Sequence, residues 1–486
     1  MGKMELKRMS EIFAITPNPK TEGRYKDCEG FYTHWCTYKV ISYHLSHPDS
    51  VVLVHGPQGC TGNERAFLIT YISQYHGAPF RFTPVTDMNA LDTVLGAEEK
   101  LKEAILEVDK IYKPKMMYIL VTCCAGVTRE PVEDIVEEVR DSVESELMVL
   151  RAEGFTHYFA GKPNIYLSEM LSNLFEEPKS KNPRSINILG MAKEVHYAKG
   201  NFPEESSELE RLVNKMGVKV NSVLLQSVPI EAFKRAPEAE FNTFVCPQWG
   251  YPMAKIMQER FGIPHGKGFN PLGVTAISKW LMEVGEFFGL EKEAKRVIDE
   301  EYARIKDVWE AAKRVVEGKI VLQDGGDPMS SVGRNIAWGR MAKDLGMEPI
   351  IFNIPSIEVK GKFHHVAFAL EDGFDPLIVH TDMYAYHRRL SPIEVIEGLG
   401  LNPEDVILYI GDVFPRAIAD EWDIPVFDPS NFARVTTAIH CNKNRAAPGR
   451  RGGFRGAERF AKDVINAIKM AKRKDRPTLL GRLKGV

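Results

Sequence analysis

The chain has 486 residues, 44% hydrophobic and 27% charged, with a formal net charge of -3. It is too long for one hydrophobic core, so about three domains are expected, and its slightly acidic balance excludes a non-specific nucleic-acid binder. The first twenty residues lack the apolar core of a signal peptide, no stretch approaches the roughly 18 apolar residues of a membrane span, and seven cysteines make no secreted disulfide framework, so a cytoplasmic protein whose thiols pack, react or bind metal is expected.

Taken in chain order, "FYTHWCTYKVISYHL" places Cys36 just before an apolar helical run. "VVLV" (51–54) reads as a short buried strand, and the turn "HGPQGCTG" that follows carries Cys60 and opens a helix near Thr61. "EEKLKEAILEVDKIY" alternates charge with apolar residues at helical spacing, and "MMYILVT" (116–122) is a strand ending at Cys123 and Cys124. The strands "INILGM" (186–191), "VNSVLL" (220–225) and "FNTFVC" (241–246) follow, the last ending at Cys246. "LEKEAKRVIDEEYARIKDVWEAAKRVVEG" is a helix long enough to connect domains. Beyond it come "KIVLQD" (319–324), "PIIFNI" (349–354), "PLIVHT" (376–381), "VILYIG" (406–411) and the terminal helix "GAERFAKDVINAIKMAKRK".

Continuous apolar strands separated by helices mean parallel sheets covered on both faces. The expected fold class is α/β, with three doubly wound, Rossmann-like parallel-sheet domains and a C-terminal helical tail. Polar joints near 177–185 and 312–318 divide the chain into domains 1–180, 181–315 and 316–486.

In such sheets ligands bind beyond the carboxyl ends of the strands, where Cys60, Cys123 and Cys246 fall. A single strand-end cysteine is more often core packing than chemistry; several in equivalent positions shift that balance. The closely spaced cysteine pairs of a zinc site are absent, and the turn lacks the Gly-Lys-Ser/Thr of a Walker loop. A nucleophilic cysteine stays open, since His34 and His55 are near in sequence, but the loop offers no base with an orienting partner. Iron–sulfur ligation fits best, because soft thiolates bind iron and widely spaced cysteines can surround one large cluster. Three thiolates are one short of a simple four-cysteine cluster, so a partner chain completes it or the cluster is larger and shared. Gly56 and Gly59 let backbone amides approach anionic sulfides closely.

These segments carry a resemblance. "VHGPQGC" resembles the His-Gly-Pro-x-Gly-Cys loop of nitrogenase component 1 subunits and their relatives, "VTCCAGVTREPVEDI" their strand-end Thr-Cys segment with its acidic helix, and "TDMNALDTVLGAEEKLKEAI" the Thr-Asp segment and helix between them. The likeness spreads over most of the chain. It implies that Cys36, Cys60 and Cys123 ligate a shared interfacial cluster, a P-cluster of 8Fe-7S type or a 4Fe-4S equivalent, with Cys124 as a neighbour. "FNTFVCPQWGYPMAKIMQERFGIPHGKG" resembles the alpha-type catalytic subunit and the matching scaffold subunit. That likeness implies that Cys246 holds a second complex iron–sulfur cofactor, of 8Fe-9S-C type. The implied partners are a homologous beta-type subunit, in a heterotetramer, and an ATP-dependent iron protein.

The chain also departs from the family. Gly452 stands where the catalytic subunit has a cluster-ligating His; His440 and Cys441 are near enough in sequence to substitute, the competing reading being a pair unconnected with the cluster. Ala160 and Asn164 stand where the Gln and His of the dinitrogen site would be, leaving His157 and Tyr158 to serve another substrate. Arg445, Arg450, Arg451, Arg455 and Arg459 crowd one stretch, either as a solvated basic loop or, chiefly Arg450 and Arg455, facing an anionic cluster. His364, His365 and His380 read mainly as structural. Two functions follow from the resemblance: a methylthio-alkane reductase subunit that cleaves carbon–sulfur bonds in small organic sulfur compounds, or a scaffold on which the nitrogenase cofactor precursor is assembled. A tetrapyrrole-type reductase would leave Cys246 without a task.

Overall fold

A computed structural model of the protein describes residues 4–13, 47, 49–61, 83–153, 163–190, 203–224, 228–268, 270–324, 332–352, 369–370, 372–381, 390–410, 426–427 and 453–471. Its strands are β1 (Met4–Arg8), β2 (Ser50–His55), β3 (Met116–Val121), β4 (Glu146–Arg151), β5 (Ser185–Leu189), β6 (Lys219–Val223), β7 (Phe241–Phe244), β8 (Ile320–Asp324), β9 (Glu348–Phe352), β10 (Leu377–Thr381), β11 (Val406–Ile410) and β12 (Val426–Phe427). The helices used below are α1 (Glu98–Tyr112), α2 (Cys123–Thr128), α3 (Val132–Val139), α4 (Pro163–Ser172), α5 (Pro203–Lys215), α6 (Pro247–Phe261), α7 (Val274–Phe288), α8 (Glu291–Val316), α9 (Val332–Asp344), α10 (Pro392–Leu399) and α11 (Gly453–Ala471).

The strands form three sheets, β2-β3-β4, β6-β5-β7 and β1-β10-β9-β8-β11-β12, in which every pairing is parallel except β1 with β10. Two isolated parallel bridges, Val54 with Val85 and Asn242 with His265, extend the first two sheets by one position each. Counting those bridges, both sheets have the order second-first-third-fourth in chain sequence. That order puts a switch point between β2 and β3 and another between β5 and β7, the crevices where open α/β sheets bind ligands. The α/β class with parallel sheets is thus the observed one.

The sheets are not separate cores. Val54, Tyr118, Leu120 and Leu150 of the first sheet pack with Leu189, Phe244, Met253 and Met257 around α4 and α6. A second core joins Ile186, Ile188 and Phe241 to Val321, Leu408 and Ile410 through α5, α7, α8, α9 and α11. The long helix α8 is therefore a spine as well as a connector: Val297, Ile305, Trp309, Ala312 and Val316 recur at helical spacing and are all buried. The outer face of the first sheet is covered by α1 and α3, and that of the third by α10, against which Met4 and Leu6 of the sheet's own edge strand β1 also pack. Residues 4–8, which the sequence reading assigns to the first domain, thus pair with the third sheet.

Candidate metal centre

β2 ends at His55 and the chain turns through Gly56–Gly59, with Cys60 N donating to Pro57 O at 3.0 Å. β3 ends at Val121, and Thr122 precedes Cys123, the first residue of α2. The two loops are clamped together: Thr122 donates to the His55 carbonyl through its N at 3.1 Å and through Oγ1 at 2.8 Å. A Cβ on Gly56 would stand 2.2 Å from that Oγ1, so the close approach requires glycine. Gly59 is different, because a Cβ there would meet nothing within 4 Å. Its exposed backbone leaves room for a ligand over Cys60. The thiols of Cys60, Cys123 and Cys124 are half-buried and none forms a disulfide. Burial, with Cys123 beside it, pushes the Cys124 thiol up, which favours its protonated form.

Beneath this crevice His55 is fully buried. Its Nε2 meets Glu130 Oε2 at 2.6 Å and its Nδ1 meets Thr86 Oγ1 at 3.1 Å. Glu130 also accepts from Ala97 N at 2.7 Å. Burial alone would raise the Glu130 carboxyl, but the hydrogen bonds from His55, Ala97 and Thr128 outweigh it and hold the group below the usual carboxylate range. Sequence reasoning noted His55 and found it no partner, because Glu130 lies 75 residues further on.

Beside the crevice is an apolar surface. The short helix Asp92–Leu95 lies against α2, and Leu91, Val94, Leu95 and Val127 are 64%, 77%, 74% and 66% exposed. Grouped exposure of this kind marks a contact surface. The apolar spacing in "NALDTVLG" was the available signal for it.

The second crevice holds Cys246, 8% exposed, at the cap position before α6, whose Pro247 opens the helix. Val245 N donates to Leu189 O at 2.8 Å and Gly250 N to Cys246 O at 2.9 Å. Gly190 has φ 82°, and a Cβ there would lie 2.0 Å from the Cys246 carbonyl oxygen. A Cβ on Gly250 would lie 2.7 Å from Leu189 Cβ, so α6 rides directly on β5. Tyr251 and Phe244 pack edge-on to His265, with ring centroids at 5.4 and 5.7 Å, and burial lowers the imidazole's proton affinity. Behind His265, Glu283 accepts from Lys267 N, and burial pushes its carboxyl up to about 7.

The fold therefore brings Cys60 and Cys123 to neighbouring strand ends and sets Cys246 at the equivalent end of the next sheet. Arg455 pairs with Glu208 at 3.4 Å and Arg459 with Asp463 at 3.7 Å, both on α11. His380 sits opposite Glu5 in the β1–β10 ladder. Cys36, His157, Tyr158, His440 and Arg450 lie outside the described residues, as do Cys28, His34, Ala160, His364, His365, Cys441, Arg445, Arg451 and Gly452. Among the described residues no three of His, Cys, Asp and Glu converge on one metal ion. The donors that are present suit iron–sulfur clusters: soft thiols on glycine-rich turns, with open backbone at Gly59 and a buried cap at Cys246. No helix among the described residues is long and apolar enough to cross a membrane.

Comparison with known proteins agrees with this architecture. The chain is 28% identical over 469 residues to the nitrogenase molybdenum-iron protein alpha chain of Methanosarcina barkeri, covering 86% of this chain and 82% of that one. It is 30% identical over 283 residues to the nitrogenase iron-molybdenum cofactor biosynthesis protein NifE of Methanococcus maripaludis, a match that spans 56% of each. A solved structure described as nitrogenase Cp1 at pH 5 superposes with a TM-score of 0.68 over 98% of this chain and 96% of that one, at 21% identity, a likeness of fold. Residues 44–469 match the family of nitrogenase component 1 type oxidoreductases, and the chain belongs to that family.

Proposed function

We propose that the chain is the alpha-type subunit of a nitrogenase-like reductase, in which Cys36, Cys60 and Cys123 share an interfacial iron–sulfur centre with a beta-type partner and Cys246 holds a second one. The observation that carries this reading is the pair of crevices on adjacent sheets, each with strand-end thiols and both resting on the core that contains Val54, Tyr118, Leu189 and Phe244. Packed cores deform little, so such a core holds two sites at a constant separation, as electron transfer between them requires. Iron–sulfur clusters, when bound, supply one-electron storage and the metal sites at which a bond is broken.

The chain's own residues do the rest. Gly56 gives its amide to Thr86 Oγ1 at 3.0 Å and Pro57 has none, so the open backbone at Gly59 is the part of the turn that approaches anionic sulfide, and the chain is already helical at residues 58–61, which adds the positive end of a helix. The burial of Cys246 keeps water from its site. The surface of Leu91, Val94, Leu95 and Val127 docks the electron donor, an ATP-dependent iron protein, beside Cys123. The proposed reaction is reductive carbon–sulfur cleavage of small organic sulfur compounds, with His157 and Tyr158 at the substrate and Arg450 and His440 near the second cluster. A second reading, a cofactor-assembly scaffold, is favoured by the 30% identity to NifE.

Anaerobic purification with the co-expressed partner tests both. Iron, molybdenum and vanadium are counted, and reduction of dimethyl sulfide is assayed with iron protein and ATP. Turnover supports the reductase, whereas a cluster that leaves for an apo-nitrogenase without turnover supports the scaffold. Cys246→Ala should remove the second cluster and spare the interfacial one; loss of both, or of neither, overturns the ligand assignment.

A further inference from the structure

The buried pair of His55 and Glu130 is given no role by the function proposed above. Its surroundings are unusual for a structural ion pair because of Thr86. The Thr86 hydroxyl accepts from Gly56 N at 3.0 Å, faces His55 Nδ1 at 3.1 Å and also lies 3.5 Å from Gly56 O. It has one hydrogen to give. Given to Nδ1, that hydrogen leaves the ring neutral, with its own proton on Nε2 toward Glu130. Turned to Gly56 O, it lets Nδ1 donate in its place, and the ring is a cation. Both arrangements keep every heavy atom where it is and leave no donor without an acceptor. The ring can therefore gain or lose a proton inside a packed interior without unpacking it.

The pair is also coupled to both thiol loops. His55 lies five residues before Cys60 and Glu130 seven after Cys123. The His55 carbonyl receives both hydrogen bonds from Thr122, next to Cys123, and Gly56 begins the Cys60 turn. The charged groups on the elements packed around the pair are Asp87 beside Thr86, Arg129 beside Glu130, Glu98, Glu99 and Lys100 in the first turn of α1, and Glu133 and Asp134 in that of α3, of which Glu99, Glu133 and Asp134 are exposed. Asp87, Arg129 and Glu98 are exposed and Lys100 is held by Asp92 at 2.6 Å, so Glu130 is the charge His55 meets directly.

We infer that His55 is a redox-linked proton site for the centre assigned to Cys60 and Cys123, and that Thr86 is the rotor that lets it work. When one electron enters from a low-potential one-electron donor, His55 takes one proton from water and the Thr86 hydroxyl turns from Nδ1 to Gly56 O. When the electron leaves, the proton returns to water. Added negative charge in a low-dielectric interior stabilises a nearby cation, and Glu130 holds that cation in place. The inference rests on the reading of Cys60 and Cys123 as cluster ligands.

The test uses the anaerobically purified complex with Cys246→Ala in the full chain, so that a single centre is read. Its midpoint potential is measured by spectroscopic titration with dithionite from pH 6 to 9. The expected result is a potential that falls with pH toward about 59 mV per unit, the value for one proton per electron. The slope should vanish in His55→Gln and in Thr86→Val, return in Thr86→Ser, and break at lower pH in Glu130→Gln. A second measurement needs no cluster: the histidine resonances of the apo chain should include one whose titration moves in Glu130→Gln and Thr86→Val. A complex that carries no iron overturns the cluster reading itself. A loaded complex whose potential ignores pH, or keeps its slope in all the variants, overturns this inference alone. If Thr86→Val fails to fold, the near-isosteric His55→Gln and Glu130→Gln and the apo-chain titration still decide.

Discussion

At the first crevice Cys60 and Cys123 are half-buried and stand beside Leu91, Val94, Leu95 and Val127, whose side chains are mostly in solvent; at the second, Cys246 is 8% exposed and caps the start of α6. The strand order is the same in both, so the difference comes from the glycines. Gly56 lets two loops touch while Gly59 leaves the outer side open, whereas Gly190 lets the end of β5 meet the Cys246 backbone and Gly250 lets α6 sit on Leu189 and Phe244. The first crevice is open on its outer side and the second is closed.

Several measurements would break or sharpen that contrast. The largest effect is expected from Gly190→Ala, which combines a left-handed backbone with a Cβ driven into the Cys246 carbonyl. It should lower unfolding free energy by about 3 kcal/mol in urea titration and disturb Cys246. Gly56→Ala meets only the Thr122 side chain and costs the hydrogen bond to His55 O, so about 2 kcal/mol is expected. A double-mutant cycle with Thr122→Ser should recover none of it, and with Thr122→Ala a good part.

Two carboxylates give opposite responses to pH. Burial alone would raise Glu301, but Arg211 and Lys215 hold it down to about 2, against an ordinary 4.5. Its contribution is present in full above pH 4.5 and is lost as pH falls from there through 2, roughly 1–2 kcal/mol after allowing for solvent screening. Glu283, held up to about 7 by burial, favours the folded state only while protonated, so its effect is lost as pH rises from 4.5 through 7. Chemical denaturation at pH 3, 5 and 8 should show Glu301→Gln less stable than wild type mainly at pH 5 and 8, and Glu283→Gln gaining about 1 kcal/mol on wild type at pH 8 alone. The smallest effect on stability is expected from Val94→Asp, within about 0.5 kcal/mol because the side chain is in solvent. If its surface is a docking site, donor binding should nonetheless weaken tenfold or more in a titration.

Much of this frame was legible in the sequence. The nine strands read from apolar runs are present within about two residues, since central parallel strands are apolar on both faces. β1, β4 and β12 escaped: "MELKR" is an edge strand with Glu5 and Lys7 turned away from Met4 and Leu6, "ELMVLR" is charged at both ends and closes its sheet, and β12 is only two residues long. The bridges at Val85 and His265 are single residues and leave no pattern to read. Strand ends located Cys60, Cys123 and Cys246. Pairing at a distance did not emerge, because nothing local joins His55 to Glu130 or Arg455 to Glu208; those contacts exist only once strands and helices are stacked.

The antiparallel pairing of β1 carries a last consequence, for how the molecule comes into being. Residues 4–8 leave the ribosome about 370 positions ahead of their ladder partner, residues 377–381. At roughly 5–20 residues per second that is on the order of 20–70 s of waiting. The third sheet thus takes its edge from a segment made long before the strand it pairs with, and the long ring closes only when β10 is in place.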